Sequence, residues 1–354
     1  MGSESALSQQ RSYSMSSHPF FEAQSINFDP RPLDGIKITP QCLRAKGYKL
    51  FLMDSGHDES PLSMRSEARR SEQSREKEFL RPRIHEGKLN QLVSWLVYDL
   101  ILKGSHLNAL ERRELSTMIR FTRHPGERVF GDYEQRAGYS NSNQGEMDSS
   151  VLNRVDRVNF AMNKHRLFDP SRADGWSQQT TSVPDETLFV SIHSNNSGGV
   201  YDDADYSWII LDPEAHLGSM DYVAARKMAE SFDEILPDYL EESSNDSAVD
   251  KRLKFESRDA FALSRTKIMP LTRPLKMMSR MVGSDNTTKF LTESFFMTGK
   301  VGHLLHRELE DSSRYKAVQF FRGSQKVADY QVSRLYMMYA QSVVLGINRY
   351  LGCD

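Results

Sequence analysis

With 354 residues, 38% of them hydrophobic and 10% aromatic, the chain is long enough for one large domain or two ordinary ones and apolar enough for a real core. Its formal net charge of −2 excludes a strong overall pull toward nucleic acid or an anionic membrane. Two cysteines, Cys42 and Cys353, exclude a disulfide framework and a cysteine zinc cluster; a lone pair reads more readily as two thiols, although an oxidising compartment would allow a bridge.

Met1-Gly2-Ser3-Glu4-Ser5 lacks the basic start and apolar stretch of a secretory signal, so either export follows another route or a leader is missing; no run is apolar enough to span a bilayer. Residues 1–40, rich in Ser, Gln and Pro without periodicity, read as an extended arm, and 41–354 as one domain with insertions. Tyr48 to Asp54 is a short apolar run that breaks at Ser55-Gly56-His57, a buried strand entering a loop. Residues 58–83 are crowded with Arg, Glu and Ser and read as a solvated insertion. From Glu86 an amphipathic helix is expected, with Leu89, Leu92, Val93, Leu96, Val97, Leu100 and Ile101 on one buried face.

A polar insertion follows near 131–150, a helix over about 151–166, and another insertion near 168–184. Thr187 to His193 is the strongest strand in the chain, followed by the turn-rich Asn195-Asn196-Ser197-Gly198-Gly199. A strand at Tyr206–Leu211, a helix over about 219–236, an acidic insertion near 237–258 and a short strand at Lys289–Glu293 come next. The chain closes in a long helix near 325–351, with Val332, Leu335, Tyr336, Tyr339, Val343, Ile347 and Tyr350 on one face. Strands separated by helices imply an α/β fold: a mostly parallel twisted sheet flanked by helices on both faces.

In such a sheet, functional groups gather at the carboxyl ends of strands, where the next helices begin. His57 and His193 fall at two such ends, Glu86 at a helix start and Glu293 at the end of the late strand. Two imidazoles and a carboxylate make a catalytic zinc set that leaves a fourth position for water, and a further carboxylate can handle the water's proton. Taken singly, each residue has a plainer reading. The helix dipole alone favours Glu86, His85 beside it is another candidate ligand, and a strand-end His or Glu is commonly structural.

The surroundings of these residues resemble the zinc amidases of the N-acetylmuramoyl-L-alanine amidase type 3 family. Leu188-Phe189-Val190-Ser191-Ile192-His193-Ser194-Asn195 is nearly that family's Leu-Phe-Val-Ser-Ile-His-Ala-Asn. Leu52-Met53-Asp54-Ser55-Gly56-His57 is similar to its opening strand ending in Asp-Pro-Gly-His, and Glu86-Gly87-Lys88-Leu89-Asn90 to its Glu-Lys-Asp-x-Asn-Leu helix start. Phe121-Thr122-Arg123, Arg157 through Asn163, Leu291 through Thr298 and Gly346 through Tyr350 resemble further segments in the family's order, together covering about residues 47–351.

The resemblance implies His57, Glu86 and His193 as ligands of a Zn2+ cofactor and Glu293 as the catalytic acid/base. It implies a hydrolase acting on peptidoglycan at the bacterial cell wall or periplasm, in wall remodelling, degradation or lysis. A zinc peptidase or carboxypeptidase acting on another wall amide, or a wall-binding protein without turnover, shares much of the pattern. No nucleic-acid partner and no wall-binding repeat is visible, so targeting is left to the arm, the insertions or a protein that activates or delivers the enzyme. The chain departs from the family at Ser55 (usually Pro), Asp58 (usually Gly), Ser294 (usually Gly) and in its long insertions. Arg123 reads as half of a structural ion pair and Asn195 as part of a turn.

Overall fold

Every residue from Leu50 to Ser55 is buried, which places that strand inside a sheet rather than at its edge. The computed structural model describes residues 13–14, 25–26, 35–56, 86–123, 125–126, 186–194, 207–211, 219–244, 267–270, 288–294, 305, 309, 316–322 and 325–353. His57, Asn195, the insertions near 58–83, 131–150 and 168–184, and the helix expected over 151–166 lie outside those residues.

The described strands are β1 (Tyr13–Ser14), β2 (Ser25–Ile26), β3 (Leu50–Ser55), β4 (Ile119–Phe121), β5 (Thr187–Ser194), β6 (Ser207–Leu211), β7 (Lys267–Pro270), β8 (Thr288–Ser294), β9 (Lys316–Arg322) and β10 (Gln325–Val332). The described helices are α1 (Pro40–Ala45), α2 (Glu86–Leu102), α3 (Ala109–Met118), α4 (Met220–Ser244) and α5 (Arg334–Leu351). Six strands form one sheet in the order β4-β3-β5-β8-β6-β7. The first four run parallel, β6 is antiparallel to β8, and β7 is parallel to β6. The fold is therefore α/β with a mostly parallel sheet flanked by helices, and the register aligns the exits of β3, β5 and β8 on one rim.

Helix α2 departs from the amphipathic reading: every residue except Lys88 is buried. The cause is tertiary. It lies against β3 and β5, packs with α5, and meets the β9–β10 hairpin on a further side. Trp95 stacks on Phe121 with ring centroids 5.1 Å apart and meets Phe320 at 5.6 Å, so the face that periodicity would leave to water is covered by aromatic rings. Just past the far end of α2, burial holds the Lys103 ammonium below the ordinary lysine value, against the pull of Asp99 at 2.7 Å.

The closing helix also differs from expectation. Residues 325–332 form β10, and α5 begins only after Ser333, whose hydroxyl accepts from the Tyr336 amide at 3.4 Å as an N-cap. Ala328, Tyr330 and Val332 are buried while Asp329 between them is exposed, which is the period of a strand. Its partner β9 pairs antiparallel across Gly323-Ser324, a two-residue hairpin signal that helix periodicity obscured. Helix α4 runs on to Ser244, through the start of the stretch expected as an acidic insertion; Leu240, Glu241 and Glu242 are good helix formers.

Helix α5 packs between α2 and α4. At Gly346 a Cβ would stand 2.9 Å from the Met228 Cα, so the missing side chain is what lets α4 and α5 approach so closely. The far end of α5 is fastened to the segment before β3. Cys42 and Cys353 form a disulfide with Cα atoms 5.8 Å apart, where the sequence had favoured two thiols. The Tyr48 and Tyr350 hydroxyls hydrogen-bond each other, and the Asn348 side chain accepts from the Lys37 amide at 2.8 Å. Ile36 and Ile38 are buried there, so this part of the expected arm belongs to the core.

Candidate metal centre

The rim at the carboxyl ends of β3, β5 and β8 collects the polar groups. Glu86 opens α2, where its charge favours the helix dipole, yet the side chain is turned inward and only 4% exposed. Its Oε1 lies 3.5 Å from Nδ1 of His193, the penultimate residue of β5. The same oxygen accepts from the Ser194 amide at 3.3 Å and from Asn90 Nδ2 at 3.4 Å.

His193 differs from its neighbours along β5, which are buried; its side chain is 16% exposed. Its ring is held between defined walls. A Cβ at Gly56 would stand 2.5 Å from the ring Cε1 and Nδ1, so only glycine fits at the end of β3. The Gly56 amide continues the β3–β5 ladder by donating to the Ile192 carbonyl at 2.8 Å, and Tyr339 of α5 donates its hydroxyl to the His193 carbonyl at 2.9 Å.

Beneath the rim, the fully buried Asp54 accepts from Thr122 at 2.7 Å and Ser191 at 2.6 Å, tying β3 to the ends of β4 and β5. Arg123 is also fully buried. Its described hydrogen bonds run to backbone, from Nε to the Ser55 carbonyl at 3.2 Å and from its terminal nitrogen to the Gly87 carbonyl. One guanidinium thus joins the exit of β3 to the entrance of α2, a use of the planar fork that a lysine could not copy. Neither role was assigned from sequence. The signal was there in the polar residues that close apolar strands, Asp54 on β3 and Thr122-Arg123 after β4.

Of the four sequence-derived site residues, Glu86 and His193 are brought together directly. Glu293 sits in β8 with its backbone opposite His193 in the parallel register and opposite Trp208 of β6. His57 follows Gly56 and lies outside the described residues, as does His85. Among the described residues no group of three or more His, Cys, Asp or Glu gathers as a metal cage. What is described is a two-donor fragment, an imidazole nitrogen and a carboxylate oxygen of the kind zinc accepts, on a rim that the chain leaves one residue before a second histidine. That donor chemistry fits a zinc ion.

No protein-family model matches the chain, and no curated protein matches it in sequence. Among solved structures it is similar to the CwlD amidase from Clostridioides difficile, determined in complex with the GerS lipoprotein. The alignment covers 86% of this chain and 100% of that one, at 12% identity and a TM-score of 0.43. That distance is too great for the chemistry of one chain to be read into the other.

Proposed function

We propose that the chain is a zinc-dependent peptidoglycan amidase that hydrolyses the bond between N-acetylmuramic acid and the first L-alanine of the stem peptide. The observation that carries the reading is the meeting of Glu86 with His193 at the carboxyl rim of a mostly parallel sheet, with Glu293 in backbone register beside His193. Those residues stand in the segments that resemble the amidase family, and the resemblance supplies the substrate.

His57, Glu86 and His193 would hold the metal. Zinc bound there supplies Lewis acidity toward a carbonyl and makes a bound water acidic near neutral pH. The chain's own residues do the rest. The Ser194 amide and the Asn90 side chain hold Glu86 Oε1 in place, and the His193 ring lies against Gly56. Glu293 takes the proton from the attacking water and returns it to the alanine nitrogen as that bond breaks.

The test is mass spectrometry of purified peptidoglycan after incubation with the protein, with and without a zinc chelator. The expected products are free stem peptides beginning at L-alanine, absent with chelator and reduced about 10²–10⁴-fold in Glu293→Ala. Cleavage at another amide would replace the substrate assignment. Undiminished turnover by Glu293→Ala would remove that residue from the mechanism.

A further inference from the structure

Beneath the Glu86–His193 pair lies a residue that ligand spacing alone does not single out. Asn90, one turn into α2, is fully buried. Its Nδ2 donates to the Gly56 carbonyl at 3.0 Å and to Glu86 Oε1 at 3.4 Å. Both partners are acceptors, which fixes the amide orientation, and the two hydrogens of one NH2 group serve both. Among the described residues Oδ1 of the same side chain has no hydrogen-bond partner.

We infer that Asn90 is the positioning residue of the metal centre, joining the chain that leads into His57 to the carboxylate of Glu86; this rests on the zinc reading above. Gly56 is the last described residue before His57 and also forms the wall against the His193 ring. Through one nitrogen, Asn90 therefore touches two of the ligand-bearing segments, and the glycine it holds lies against the ring of the third. The backbone beneath it is anchored too: Ser94 Oγ donates to the Asn90 carbonyl at 2.8 Å and accepts from Ser55 Oγ at 2.9 Å. An aspartate here keeps the shape and replaces the donor with an acceptor facing two acceptors. A serine removes the reach.

The experiment is calorimetric titration of the chelator-stripped full chain with zinc chloride, for wild type, Asn90→Asp, Asn90→Ser and Val344→Ala, with thermal unfolding of each metal-free protein alongside. Val344 is a buried residue of α5 and controls for general loosening. Wild type is expected to bind zinc, and both Asn90 variants to bind it about 10–100-fold more weakly, the usual loss when a partner of a metal ligand is removed. Val344→Ala is expected to lower the unfolding temperature with zinc affinity unchanged. Equal affinity in wild type and both Asn90 variants overturns the positioning role and leaves the zinc reading standing. A matching loss in Val344→Ala overturns it as well, because the effect would then be loosening. A wild type that binds no zinc overturns both.

Discussion

The two ends of α5 hold the molecule together by different chemistry. At one end Tyr339 reaches the His193 carbonyl on the polar rim; at the other, Tyr350, Asn348 and Cys353 grip the segment before β3. The eleven-residue step between the two tyrosines rises about 16 Å at roughly 1.5 Å per residue. The six residues of β3 extend about 20 Å at roughly 3.3 Å each, so one helix spans the sheet from its amino edge to its rim. The clasp is redundant: a covalent bond, paired hydroxyls, an amide cap and buried isoleucines all secure the same end. The rim is held differently, by directional hydrogen bonds between the strand ends and the start of α2, with no covalent cross-link there among the described residues.

The largest stability effect should come from the clasp. Reducing the bridge, or Cys42→Ser with Cys353→Ser, is expected to lower stability by about 3–5 kcal/mol, because the bond closes a loop with a sequence separation of 311. Urea unfolding with and without reductant measures it. The comparison breaks if zinc affinity of the still-folded reduced chain falls too. Gly56→Ala is the reverse case. Overpacking against the His193 ring should cost about 1–3 kcal/mol, while displacement of that ring by an ångström should reduce turnover in the proposed reaction on the order of 10²-fold. Turnover measured well below the unfolding temperature separates the two. Smallest is Tyr339→Phe, which removes one hydrogen bond from hydroxyl to carbonyl and should cost about 0.5–1.5 kcal/mol in urea unfolding. A larger effect would mean that the two ends of α5 are coupled through it.

The centre of the sheet was legible because β3 and β5 are buried on both faces and spell themselves as apolar runs: Leu50 to Met53 and Leu188 to Ile192 need no other context. The strand endings His193 and Glu293 followed from the same runs, and Glu86 from the helix start. What failed depended on partners distant in sequence. The outer face of α2 is covered by rings from β9 and β10, more than two hundred residues away, and no local period announces that. Gln325 to Val332 mixes apolar and polar residues in a way that a helix template also accepts, and the hairpin partner decides the matter. Arg123 and Asn90 were invisible as positioning residues because each acts on backbone carbonyls, which carry no sequence signature. The pairing of Cys42 with Cys353 needed segments 311 residues apart to be neighbours in space.

The bridge between Cys42 and Cys353 also makes almost the whole polypeptide a closed ring. A peptide bond cut by a protease anywhere between those cysteines opens the ring without releasing a fragment. The cut ends stay on one molecule, and the elements on either side of the break keep an effective concentration that favours their reassembly. Damage that would divide an unbridged chain in two leaves these segments on one molecule, with Cys42 and Cys353 still joined beside β3.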